Sequence, residues 1–176
     1  MVQQVRPMVL IGLGSNQGAS VEIVHRALLD LQKFAQPGTF AQSRLWQTSP
    51  VDCPPDSGLF LNAVACFEIV ADVSPEALLV KLKALERRYG RGEKLVRNAP
   101  RELDLDLLVF GNEQRNTADF VLPHPRAADR LFVLAPAAEI VPELVWPGLS
   151  KTVRELLNAL ESDEEVKPML CQSRTD

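Results

Sequence analysis

The sequence predicts an α+β domain built on an antiparallel sheet, with two helices on one face and a helical extension at its C-terminal end. Short apolar runs rich in strand formers recur at residues 8–13, 40–48, 59–69 and 103–110, and two segments with helical apolar spacing lie at 20–34 and 74–90. Along the chain they alternate as β-α-β-β-α-β, the ferredoxin-like arrangement. With the extension on the opposite face, the expected layers are α/β/α.

Each element has a local reason. Residues 8–13 form an apolar run that ends in Gly12 and Gly14 and meets polar Ser15-Asn16-Gln17-Gly18, a buried strand entering a turn. Ser20 caps a helix whose apolar residues Ile23, Val24, Ala27, Leu28, Leu31 and Phe34 share one stripe before Pro37-Gly38 stops it. Residues 40–48 and 59–69 read as a hairpin joined by a long loop at 49–58 that carries Pro, Asp and Gly. Ser74-Pro75-Glu76 starts the second helix, with proline at its first position, and Tyr89-Gly90 ends it. The segment 91–101, with Arg91, Lys94, Arg97 and Arg101 and little apolar content, reads as a surface loop before the strand at 103–110. In the extension, residues 120–122 suggest a short edge strand, 127–140 a helix interrupted at Pro136, and 153–160 a last amphipathic helix. Residues 1–161 are thus expected to form one domain, and the polar 162–176 a frayed tail.

The chain has 176 residues, 46% hydrophobic and 24% charged, which suits a single soluble core and excludes a disordered or collagen-like chain. No apolar run is long enough to cross a bilayer, and the N-terminal residues lack an export signal's apolar core and cleavage site. Cys53, Cys66 and Cys171 are widely spaced with no CxxC pair, so a reducing cytoplasm is expected, without disulfides or a zinc knuckle. A net charge of −4 argues against a nucleic-acid surface. Neither membrane nor nucleic-acid partners are expected, and the protein is expected to be a monomer.

Chemistry concentrates at Leu103-Asp104-Leu105-Asp106. The strand period of two sends both aspartates to one face and the leucines to the other. Like charges on one strand face repel, so the pair suits a hard divalent cation such as Mg²⁺ that takes carboxylate and phosphate oxygens; a solvent-facing strand side would show the same alternation. The arginines just upstream supply forks that match phosphate. Gly12-Leu13-Gly14-Ser15-Asn16 resembles a dinucleotide fingerprint but has Gln17 where its last glycine should be, and there is no phosphate-binding P-loop, so this segment is either a tight turn or a substrate contact. His124 is held between Pro123 and Pro125 in extended backbone, which suits either a phosphate contact or a structural role. His25 and, by composition, Phe60 and Phe132 read as packing residues.

Taken together, the GLGSN segment at 12–16, the run from Arg97 to Asp106, and Leu122-Pro123-His124-Pro125 with Arg130 and Phe132 resemble the 6-hydroxymethyl-7,8-dihydropterin pyrophosphokinases of folate biosynthesis. The resemblance implies transfer of the pyrophosphoryl group of ATP to the pterin hydroxymethyl oxygen, with AMP released and two Mg²⁺ ions held by Asp104 and Asp106. It implies that Arg91, Arg101, His124 and Arg130 neutralise the triphosphate and that Glu86 anchors the metal-side network. The adenine would meet backbone near Leu107 and Val121. The pterin would lie between Phe60 and Phe132, near Gly14, with Asn62, Thr48 and backbone at Val51 reading its edge. The chain departs from the family's frequent residues at Glu93, Asn98, Pro125 and Phe60, and at Lys83, a cation able to reach phosphate; Lys94 and Arg97 offer compensating charge beside Glu93. Two other readings remain open on the residues alone: another two-metal nucleotidyl transferase or cyclase on this fold, and a pterin- or nucleotide-binding relative with impaired catalysis.

Overall fold

The computed structural model describes residues 6–16, 20–49, 58–69, 72–90 and 102–170. Its elements are β1 (Met8–Ser15), α1 (Ser20–Gln32), β2 (Ala41–Gln42), β3 (Trp46–Thr48), β4 (Phe60–Glu68), α2 (Pro75–Arg88), β5 (Asp104–Phe110), β6 (Arg115–Asn116), β7 (Val121–Leu122), α3 (Leu131–Ile140), β8 (Val145–Trp146), β9 (Lys151–Thr152), α4 (Val153–Ala159) and β10 (Val166–Pro168). The main sheet runs β10-β3-β4-β1-β5, with β2 also paired to β4, and its named pairings are antiparallel. This is the expected ferredoxin-like order, and the α/β/α layering holds as well. Val24, Leu28 and Leu31 of α1 and Leu78, Leu82 and Leu85 of α2 pack with Val9, Ile11, Phe67, Leu105 and Leu107 on one face. On the other face Val133, Leu134 and Ala137 of α3, with Trp146 and Val153, cover Leu10, Val64, Cys66 and Leu108.

Local chemistry sets the helix starts. The Ser74 hydroxyl accepts from the Ala77 amide at the head of α2, with Pro75 in the first turn. Thr152 and Glu155 form a reciprocal capping box on α4. No helix among the described residues is long and apolar enough to cross a membrane.

Four expectations need correction. The strand expected over 40–48 is two short pieces: Gln42 pairs with Ala65 and Trp46 with Asn62, so one extra residue sits on this side of the ladder. Buried Ser43 fills the gap. Its amide donates to the Val64 carbonyl, and its hydroxyl accepts from the Val64 amide at 3.0 Å. Of the two readings left open for Gly12–Asn16, the tight turn does not hold for its first residues, because Gly12 and Gly14 are both paired within β1, which runs to Ser15 as its apolar run implied. The helical segment 127–140 breaks at Arg130 rather than at Pro136: a single 3-10 turn, Ala127–Asp129, precedes extended Arg130, and α3 then runs through Pro136. Pro136 sits inside the helix as a buried residue, without a backbone donor of its own. Lastly, residues 162–170 do not fray. Val166–Pro168 forms the outer strand of the sheet on β3, and the Met169 amide donates to the Leu45 carbonyl at 2.8 Å.

Candidate active site

β5 carries the alternation expected of it up to Leu107. Leu103, Leu105 and Leu107 enter the core beneath α1 and α2, while Asp104 and Asp106 are half-buried on the opposite face. A bulge follows: Leu10 pairs with Val109 and Ile11 with Leu107, leaving Leu108 as the extra residue. Leu108 and Val109 therefore both belong to the core beneath α3, and Phe110 returns to the other side.

The register then determines what stands beside the aspartates. Gly14 lies opposite Asp104 and, on its other side, Asn62; Gly12 lies opposite Asp106 and Val64. Directly paired residues share a face, so the row from Asn62 across Gly14 to Asp104 has no side chain in its centre. A methyl group at Gly14 would sit 3.2 Å from Asn62 Oδ1. The same face continues onto β3, where Thr48 pairs with Phe60 and Trp46 with Asn62. The Asn62 amide donates to the Thr48 hydroxyl at 2.8 Å, with both residues buried. That bond fixes which edge of Asn62 is turned to the site.

The outer edge of β5 is clasped by α2. Glu86, fully buried, accepts from the Leu105 amide at 2.8 Å, and Lys83 Nζ donates both to Glu86 at 3.0 Å and to the Leu105 carbonyl at 3.3 Å. Both backbone groups of the residue between the two aspartates are thereby held at a sheet edge that would otherwise be open. Burial pushes the Glu86 carboxyl above its usual range, against the opposing pull of the Leu105 amide and Lys83, and the Asp104 charge pushes it further up.

Beyond the same edge, the His124 amide donates to the Leu108 carbonyl at 2.9 Å, and the peptide bond between Leu122 and Pro123 is cis. His124 Nδ1 accepts from the Arg126 amide at 3.4 Å. Arg130 and Phe132 flank the first residue of α3, a helix that packs on β3 and β4. Arg130 Nη1 pairs with Glu164 at 3.4 Å.

Gly14, Thr48, Phe60, Asn62, Asp104 and Asp106 are thus gathered on one sheet face, with Lys83 and Glu86 at its edge. Leu107 turns its side chain into the opposite core, so only its backbone remains for an adenine contact, and Val121 is exposed on β7. The expected contributions of Val51, Arg91, Arg97 and Arg101, and the departures at Glu93 and Asn98, lie outside the described residues. Gly12 shares the face of Gly14, but Leu108 packs over it, 3.4 Å from where a Cβ would stand, so the bare position is the one at Gly14. Among the described residues no cluster of three or more metal-ligating side chains occurs.

The 7,8-dihydro-6-hydroxymethylpterin-pyrophosphokinase family matches residues 10–142. The 2-amino-4-hydroxy-6-hydroxymethyldihydropteridine pyrophosphokinase of Bacillus subtilis is 38% identical over 130 residues, covering 74% of this chain and 75% of its own. Its counterpart from Haemophilus influenzae is 34% identical over 157 residues, covering 89% and 95%. Among solved structures, the Plasmodium falciparum HPPK-DHPS triple mutant with pteroate superposes with a TM-score of 0.66 at 14% identity, which speaks to the fold; the match covers 89% of this chain and 44% of that one. With a family match that takes in β1, both sheet-side helices, the aspartate strand and the start of the extension, the chain belongs to the 7,8-dihydro-6-hydroxymethylpterin-pyrophosphokinase family.

Proposed function

We propose that the chain transfers the pyrophosphoryl group of ATP to the hydroxymethyl oxygen of 6-hydroxymethyl-7,8-dihydropterin, giving the pterin diphosphate and AMP. The observation that carries this reading is the bare strip at Gly14, bounded by Asp104 on one side and by Asn62 with Thr48 on the other, with Asp106 next along the same face of β5. A flat heterocycle fits such a strip, with a few polar groups at one rim to read its edge and anionic oxygens at the other to meet a cation.

A pair of carboxylates on one strand face suits Mg²⁺, which keeps several waters and shares phosphate oxygens instead of entering an all-protein cage. When bound, the metal supplies charge neutralisation at the phosphate oxygens. The protein's own part is positioning. Asp104 and Asp106 face the strip from a strand whose backbone is held between them by Glu86 and Lys83. Thr48 orients Asn62 toward the pterin edge, and Phe60 and Phe132 provide aromatic faces. Lys83, His124 and Arg130 are cations or donors for the triphosphate, and the resemblance assigns Arg91, Arg97 and Arg101 to the same task, with Arg91 and Arg101 acting on the transferred group. Closure of such a shell excludes water and prevents unproductive ATP hydrolysis. We further read the unit as a single-domain cytoplasmic monomer.

The test is incubation of the purified protein with ATP, Mg²⁺ and the hydroxymethyl pterin, followed by separation of nucleotides. AMP formed only in the presence of pterin is the expected result. Pyrophosphate release would indicate a nucleotidyl transferase, and intact ATP despite binding of both substrates would indicate a non-catalytic relative. A second expected outcome concerns the floor: Gly14→Ala raises the pterin KM about tenfold, the scale of overpacking a tight contact, because the new methyl displaces Asn62. An unchanged pterin KM with the ATP KM raised would place the pterin elsewhere.

A further inference from the structure

The C-terminal segment reaches the site from the far edge of the sheet. We propose that Glu164 is a positioning residue for Arg130, holding its guanidinium and the first turn of α3 in the orientation that meets the nucleotide phosphates; this rests on the role given to Arg130 above. The first observation is at the helix start. Arg130 stands at the cap position of α3 with extended backbone and makes no side-chain cap. The missing acceptor comes from a distance in sequence: Glu164 Oε2 accepts from the Leu131 amide at 2.8 Å, and its other oxygen meets Arg130 Nη1 at 3.4 Å. One carboxylate therefore ties down both the helix terminus and the arginine that begins it.

The second observation is that Glu164 is itself firmly placed. Its side chain is 11% exposed, less than the 24% of Arg130. On the next residue the Glu165 carbonyl accepts from the Ser49 amide, and Val166 then pairs with Thr48 in the main sheet. The segment that carries Glu164 is thus fastened to the strand that carries Thr48. One short stretch of chain ties β3 to the start of α3 at Arg130. An arginine oriented beforehand loses less freedom when a phosphate arrives, so its contribution to binding is larger.

The experiment measures the Kd of a non-hydrolysable ATP analogue with Mg²⁺ by calorimetry on the full chain and on E164Q, R130A and the double variant. Glutamine keeps an oxygen for the Leu131 amide, so E164Q is expected to retain the wild-type melting midpoint while binding the analogue about tenfold more weakly, within the range of direct side-chain couplings. R130A is expected to lose at least as much, and the double variant to bind no more weakly than R130A, since Glu164 acts only through that arginine. Wild-type or tighter binding by E164Q beside a weakened R130A would overturn the proposal while leaving the site intact, as would losses that multiply in the double variant. Wild-type binding by R130A would instead remove Arg130 from the nucleotide site and take the proposal with it.

Discussion

Asp104→Ala and Asp106→Ala are each expected to lower Mg²⁺-dependent AMP formation by about 100- to 1000-fold, the scale of losing one preorganised charge stabiliser, while leaving the fold in place. The two side chains are half-buried, and neither belongs to a core cluster. Removing one also relieves repulsion between like charges on neighbouring same-face positions. Initial rates at saturating Mg²⁺, with a circular-dichroism melt of each variant, separate the two effects. Near-normal turnover in either variant would end the metal assignment, and a collapsed melt would show that the aspartates serve the fold.

Glu86→Ala is expected to cost about 2 kcal/mol of stability, because it leaves the buried Leu105 amide without its acceptor. Lys83 loses its carboxylate partner at the same time, and the backbone between the two aspartates loosens, so kcat falls along with the unfolding midpoint. Glu86→Gln keeps an acceptor for Leu105 and is expected to recover most of the stability. The pH dependence follows from the direction of the shift. Burial raises the carboxyl above its value in the unfolded chain, near 4.5, so the folded state binds this proton more tightly. The resulting stability is fully present below the unfolded pKa and is lost as pH rises through the higher folded one. Urea denaturation across the mildly acidic range should show this loss in the wild type and not in Glu86→Gln. A Glu86→Ala midpoint equal to wild type would show that the α2 clasp does not hold β5.

The departure at Phe60 keeps an aromatic ring on the same face as Asn62 and Thr48 without a hydroxyl, so under the proposed function the ring would still stack on the pterin and the hydrogen bonds to its edge would fall to Asn62 and Thr48. Lys83, by contrast, is engaged in the structure: its ammonium is bound to Glu86 and to the Leu105 carbonyl, and its charge acts from the strand edge.

What local sequence determined by itself is the set of main elements and the face each presents. The apolar stripe of α1, the Ser74-Pro75 start of α2 and the alternation through Asp104 and Asp106 are readable because period and capping are encoded within a few neighbouring residues. The family resemblance, carried by three separated motifs, pointed to the remaining candidate residues. Only the tertiary structure decided which side chains stand opposite one another. Gly12 and Gly14 face the aspartates because of the β1–β5 register, and the bulge at Leu108 returns the strand to its proper core, yet neither is written in any one segment. The polar stretch around Val166 has little strand signal of its own and becomes a strand because β3 offers it an unpaired edge. Likewise the break at Arg130 answers to Glu164, a residue distant in sequence whose carboxylate satisfies the helix start. Backbone donors and acceptors must find partners wherever the fold brings them, so pairings across the chain override local preference at the edges, and the site is assembled at those edges.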